Sequence, residues 1–156
     1  MSERNPVIPD CPAEAENPRG RQGVRLTSLR RAILEILMAA DFPVKAYDLI
    51  EYMRDKGKRV TPATIYRTLD FLLQNGLVHR VNSLNAYIPC TGEHNNHALL
   101  MVTCSGCQKT TEIDDQDLYD SMRSRLEELG MSLQGGCIEI QGMCKECMRY
   151  PQPSTG

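Results

Sequence analysis

Residues 61–81 read TPATIYRTLDFLLQNGLVHRV. Thr61 carries a hydroxyl suited to capping a helix N-terminus, Pro62 fits the first helical position, and Gly76 fits the left-handed residue just past the last turn. Between these signals Ile65, Leu69, Leu72 and Leu73 recur on one face of a helix. At 100° per residue Ala63, Tyr66, Arg67, Asp70 and Gln74 fall on the opposite face. The stretch continues into residues 77–81, which read as a short strand. A second strand at residues 86–89 follows the turn-like Asn82-Ser83-Leu84-Asn85.

Two further helical patterns precede this segment. Leu29, Ile33, Ile36, Leu37 and Ala40 form one apolar face behind Thr27 as N-cap. Asp41-Phe42-Pro43 breaks the pattern, and Ala46, Leu49, Ile50 and Met53 form a second face that ends near Gly57. Three helices followed by a small hairpin over residues 24–89 is a winged-helix pattern. Residues 1–23 hold four of the nine prolines with no clear period and read as a poorly ordered tail. Residues 90–97 read as a hinge. Residues 98–150 read as a small α/β unit: strands at 99–104 and 110–113, a helix with Leu118, Met122, Leu126 and Leu129 inward, and a last strand through 137–140. The expected class is α+β. Asp114, Asp115 and Asp117 sit at the start of that helix, where carboxylates favour the helix dipole more simply than they make a cation site.

The chain has 156 residues and no apolar run long enough for a membrane span. Its first residues lack an apolar secretory core, so the expected compartment is the reducing cytoplasm. Seven cysteines there read as metal ligands or reactive thiols rather than disulfides. The net charge of −2 hides an asymmetry: residues 24–85 carry +4 and residues 94–150 carry −4. That places an anionic partner, if there is one, on the first half.

Cys104-x-x-Cys107 and Cys144-x-x-Cys147 are the strongest chemical signal. Two such turns complete a tetrahedral four-sulfur site that suits Zn²⁺. The 36 residues between the pairs exceed the roughly 15–20 of a simple zinc ribbon, so the site ties separate parts of the second lobe together. A redox dithiol, an iron–sulfur cluster and two disulfides are the alternatives; a redox pair needs only one such turn, and the compartment disfavours disulfides.

His79, Cys90, His94 and His97 lie within 19 residues where the hairpin meets the second lobe, and Glu112 lies on the strand after the first cysteine pair. Each alone has an ordinary structural explanation, but all the histidines of the chain gather at one hinge. A mixed imidazole, thiolate and carboxylate set favours zinc over harder ions. Cys11 and Cys137 remain unassigned. On the third helix Tyr66 and Arg67 project outward, with Arg25, Arg30, Lys45, Lys56, Lys58, Arg59 and Arg80 around them. An Arg on such a helix can grip guanine in a major groove while other cations hold phosphates. A solvated helical face is the plain alternative.

The ordered segments RLTSLRRAILEIL, AYDLIEYM, TPATIYRTLDFLLQNGLVHRV, CTGEHNNH, CSGC, TTEI and CKEC together resemble the ferric uptake regulator family of bacterial metal-dependent repressors, most closely its zinc uptake branch. The likeness covers about residues 24–148. It implies a winged-helix DNA-binding domain, a hinge and an α/β dimerisation domain in a homodimer. It implies structural zinc on Cys104, Cys107, Cys144 and Cys147, and sensing zinc on His79, Cys90, His97 and Glu112, two ions per chain. His94 is a possible extra ligand. Tyr47, Thr61, Thr64, Tyr66, Arg67 and Arg80 are the DNA-contacting candidates. Glu51 and Arg54, three apart on the second helix, are candidates for pairing between dimers on one operator, with a weak surface pair within the helix as the plain alternative. The implied partner is double-stranded operator DNA, with no membrane, no small-molecule substrate besides the metal and no catalysis. The thinned HNNH cluster argues against an iron- or peroxide-sensing role, and no catalytic motif accompanies Glu112 to support a zinc or thiol redox enzyme.

Overall fold

The computed structural model describes residues 24–91, 99–132 and 137–150. The first lobe runs α1 (Ser28–Ala39), β1 (Val44–Lys45), α2 (Ala46–Asp55), α3 (Pro62–Gln74), β2 (Val78–Val81), a 3₁₀ turn (Asn82–Leu84) and β3 (Ala86–Pro89). The second runs β4 (Leu99–Cys104), β5 (Thr110–Ile113), α4 (Gln116–Glu128), β6 (Cys137–Gly142) and α5 (Lys145–Arg149). No described helix is long and apolar enough to cross a membrane.

The helix signals act as expected. The Thr27 hydroxyl accepts from the Arg30 N–H at 3.4 Å, and the Thr61 hydroxyl accepts from the Thr64 N–H at 3.3 Å. Past α3, Gly76 takes φ +61°, its N–H reaches the Leu73 carbonyl at 2.9 Å, and the Leu77 N–H reaches the Leu72 carbonyl at 2.9 Å. This double closure satisfies the last carbonyls of the helix and turns the chain directly into β2. Ile33, Leu37, Leu49, Met53, Ile65, Leu69 and Leu72 are buried almost completely and form the core of the first lobe. That core fixes which side of α3 remains outside.

In the first lobe one strand lies beyond the sequence reading. β1 pairs antiparallel with β3, Val44 opposite Tyr87 and Lys45 opposite Ala86, so the wing is a three-stranded sheet in the order β1-β3-β2. A strand of two residues is too short to show an alternating pattern.

In the second lobe the order is β5-β4-β6, with β4 antiparallel to β5 and parallel to β6. The parallel pair requires a crossover, which β5 and α4 provide. Asp115 caps α4 by accepting from the Leu118 N–H at 2.9 Å, the structural role read for the acidic cluster. The expectation of an inward apolar face on α4 needs correction. No residue of α4 is buried in the single chain, and Leu118 and Leu129 are 40% and 70% exposed. The stripe is real, but its cover does not come from the described part of this chain. The last strand extends to Gly142, and Cys144 starts a helix, α5, that the sequence reading left out.

Candidate metal centres and nucleic-acid face

The parallel register of β4 and β6 sets Cys104 opposite Gly142. Cys144 follows two residues later, which is how the long spacing closes. The ligand atoms of Cys104, Cys107, Cys144 and Cys147 all lie within 4.8 Å of one another, with Cys104 and Cys147 buried and the other two half-buried. Among the described residues this is the one group of three or more potential ligands gathered tightly enough to share an ion. One contact joins the second turn to the first, and another closes the second turn on itself. The Cys144 N–H donates to the Cys104 sulfur at 3.3 Å, and the Cys147 N–H donates to the Cys144 sulfur at 3.5 Å. The Ser105 N–H donates to the Gly142 carbonyl at 2.8 Å. Gly106 permits the approach: a Cβ there would stand 2.8 Å from both the Cβ and the sulfur of Cys147.

The electrostatics of this cluster are asymmetric. Backbone N–H groups of Cys107 and Cys144 hold the Cys104 thiol down to about 6, so a thiolate is prepared there. Hydrogen bonding with the Cys144 side chain, followed by burial, pushes Cys147 up to about 12. Four thiols without a cation cannot all ionise at so short a range. A soft divalent ion fits this donor set, because its charge offsets that repulsion and four sulfurs satisfy a tetrahedral geometry.

A second set lies between the lobes. His79 on β2 is buried and Glu112 on β5 is half-buried with its side chain largely covered, and Nε2 and Oε1 are 3.6 Å apart. The other Glu112 oxygen accepts from the Thr91 hydroxyl at 2.7 Å and the Thr91 N–H at 3.2 Å. Cys90, the neighbour of Thr91, is half-buried, and its N–H reaches the Leu77 carbonyl at 3.0 Å, holding it beside β2. A cleft of about 250 Å³ opens here between Phe42, Pro43, Ile88, Thr91 and Glu112. His79 and Glu112 thus meet between the lobes, and the Cys90 backbone lies beside β2 next to Thr91, but these three do not form a ligand group as tight as the four cysteines. His94, His97 and Cys11 lie outside the described residues.

The outer face of α3 presents Tyr66, Arg67 and Asp70 to solvent. Tyr47 at the start of α2 is 63% exposed and Tyr66 is 49% exposed. Thr61 is exposed and Thr64 half-buried, joined hydroxyl to hydroxyl at 2.9 Å. Arg80 is exposed on the wing, where its guanidinium donates to the Asn85 side-chain carbonyl at 2.7 Å; Asn85 sits in the left-handed region at φ 49°. Arg30 stacks on the Phe71 ring at 3.4 Å, which makes it a packing residue rather than a free cation.

One contact escapes sequence reading. Glu139 on β6 accepts from the N–H groups of Asn82 at 2.6 Å and Ser83 at 2.9 Å, joining the second lobe to the wing. Beneath it Val81, Ile88 and Met101 form a small buried cluster flanked by Leu84 and Cys137, which gives Cys137 a packing role. A carboxylate 56 residues from its partner leaves no spacing signal.

The ferric uptake regulator family model matches residues 21–141. The zinc uptake regulation protein of Escherichia coli strain K12 is 34% identical over 146 residues, which cover 90% of this chain and 85% of that relative. The crystal structure of holo XcZur superposes with a TM-score of 0.71 at 34% identity, covering 83% of this chain and 90% of that one. A zinc uptake regulator complexed with zinc and DNA superposes with a TM-score of 0.72 at 33% identity, covering 83% of this chain and 87% of that one. With the family model spanning most of the chain and relatives 34% identical over 90% of it, the chain belongs to the ferric uptake regulator family.

Proposed function

We propose that the chain is a zinc-responsive, homodimeric DNA-binding regulator that acts in the cytoplasm, mainly as a repressor of zinc-homeostasis genes, and that it is not an enzyme. The observation that carries this reading is the His79–Glu112 pair, 3.6 Å apart and buried between a DNA-reading lobe and a second lobe. Two groups from different lobes that favour a cation in the same place form a natural sensor. Similarity to zinc uptake regulators, one of them complexed with zinc and DNA, supports the choice of metal and partner.

The residues divide by role. Cys104, Cys107, Cys144 and Cys147 hold the structural ion and fasten the chain end to β4. His79, Cys90, Glu112 and His97 hold the regulatory ion, with His94 as a possible spare ligand. Zn²⁺ bound there supplies a cross-link between wing, hinge and second lobe. Glu112 is prepared for this role by Thr91, which engages one carboxylate oxygen and leaves the other directed at His79. The wing strand β2 transmits the constraint, because the same strand carries His79 and Arg80 and packs on α3. Arg67 and Tyr66 read bases in the major groove, while Tyr47, Thr61, Thr64 and Arg80 engage the backbone and fix the docking. The apolar stripe of α4 faces a second copy, a reading supported by its exposure in the single chain.

The magnitudes are consistent. Moving the lobe arrangement from about 1:99 to 99:1 takes roughly 5.5 kcal/mol of differential binding. Zinc sites in small peptides contribute about 10–16 kcal/mol. The test is a DNA-binding titration against buffered free zinc, and in parallel against Fe²⁺, using a duplex selected from a random pool by the zinc-loaded chain. Binding that rises with zinc at buffered low concentration is expected. Binding that responds to Fe²⁺ instead, or to neither ion, would overturn the reading.

A further inference from the structure

Glu139 belongs to neither metal set and lies away from the DNA-reading helix. Its two oxygens accept separately from the Asn82 and Ser83 N–H groups, at 2.6 and 2.9 Å. These amides open the 3₁₀ turn at the tip of the wing, where the first N–H groups have no partner within the turn. A carboxylate placed there is a charge-assisted cap, stronger than a neutral one. The acceptor comes from the second lobe and the donors from the first. The contact rests on the buried base of Val81, Ile88 and Met101, which holds the two lobes in register beneath it. On the same hairpin, His79 faces Glu112 at the other contact between lobes. The second lobe therefore holds the wing through two carboxylates, only one of which has a place in a metal set.

Resting on the zinc-responsive reading above, we infer that Glu139 is a metal-independent latch. It is a positioning residue that docks the wing on β6 and sets how much of the protein already holds the DNA-competent arrangement before the hinge site fills. The docked arrangement is the competent one, because the chain superposes on the zinc- and DNA-bound relative over 83% of its length, a span that includes both lobes. Apparent affinity scales with the fraction of molecules already competent. Loss of the latch therefore raises the zinc demand by the factor by which that fraction falls. Both bonds are open to solvent, which weakens them, so that factor is about tenfold, equivalent to about 1.4 kcal/mol.

The test uses the full chain, Glu139→Ala, Asn82→Pro and the double variant. Asn82→Pro removes one donor at low backbone cost. Val81 is already in the extended region at φ −90° and ψ 99°, within about 20° of the range a following proline favours, and the first position of a helical turn accepts proline. Zinc-dependent binding to the selected duplex is measured for each, with zinc content and dimer mass as controls. Glu139→Ala is expected to move the zinc midpoint upward about tenfold with both ions still bound at saturation. Asn82→Pro should move it part of the way, and the double variant no further than Glu139→Ala. In protein with only the four-cysteine site filled, the Ser83 amide should exchange about tenfold faster in Glu139→Ala. An unchanged midpoint, an unchanged exchange rate or additive variants would overturn the latch. Tighter DNA binding in Glu139→Ala would overturn it too, by making the contact inhibitory. A parent chain without any zinc response would instead refute the proposed function, and amide exchange would still report on the contact itself.

Discussion

Replacing Gly106 with alanine isolates the geometry of the four-cysteine site. The new Cβ would stand 2.8 Å from the Cβ and the sulfur of Cys147, where ordinary contact begins at 3.4 Å. Relief requires a relative shift of about 0.6 Å, against a tolerance of about 0.2 Å for ligand distances in a metal site. Cys147 cannot swing away freely, because it is only 6% exposed and its N–H is engaged by the Cys144 sulfur. The overpacking itself should cost about 1–3 kcal/mol. The larger consequence is for the ion, since one of four sulfurs is displaced by more than its tolerance. The expected result is at least tenfold faster zinc loss to a chelator, with a lower melting temperature for the second lobe. Gly130→Ala is the control. Gly130 has φ +73° and open space around its Cβ position, so alanine there costs about 1–2 kcal/mol of backbone strain. It should lower the melting temperature and leave zinc loss unchanged. Parent-like zinc retention in Gly106→Ala would refute the claim that close approach at this glycine assembles the site.

Three other outcomes test the remaining assignments. Cys90→Ser should keep the fold and one zinc per chain while losing zinc-dependent DNA binding; metal analysis showing both ions gone would contradict two separate sites. Arg67→Ala should cost about 1–3 kcal/mol at one base position in a binding-site selection, whereas a uniform loss across all sequences would make it a phosphate contact. Glu51 and Arg54 are exposed on α2 and form no ion pair among the described residues. The Glu51→Ala, Arg54→Ala pair should therefore leave stability unchanged and reduce cooperativity between dimers on one duplex, with unchanged cooperativity counting against an inter-dimer contact.

Local chemistry was the most legible part of the chain. Thr27, Thr61 and Gly76 announce helix ends because caps act within three or four residues; the two hydroxyls and the Gly76 backbone N–H make the bonds their positions imply. The cysteine pairs were legible because thiols at that spacing have few other uses. β1 was not legible, since two residues carry no period and the strand exists only through its pairing with β3. The face of α4 was legible as apolar but not as exposed, because a pattern shows which residues avoid water without showing what covers them. Glu139 was not legible at all. Half-buried acidic residues on strands are ordinary, and its role arises only when the fold brings β6 beside a turn 56 residues earlier.

The contacts between lobes also explain why a metal would be needed. Among the described residues they include one small buried cluster, the Glu139 cap, the Thr91–Glu112 bonds and a His79–Glu112 pair at 3.6 Å. Each net hydrogen bond contributes about 0.5–1.5 kcal/mol, up to about 3 kcal/mol where a charge takes part, and the ordering of hinge and side chains opposes them. Such a seam cannot hold the arrangement unconditionally. Interfaces within a chain that stay closed by themselves are larger and more apolar. A weak seam is the condition for control, because an equilibrium near balance shifts with a few kcal/mol of differential binding, whereas one already committed does not respond. On the proposed function reciprocity then follows: DNA that selects the docked arrangement must tighten zinc at the proposed hinge site by the same factor by which zinc tightens DNA. The four-cysteine site, whose ligands all come from the second lobe, lies outside that coupling, and its affinity for zinc should not change when DNA is added.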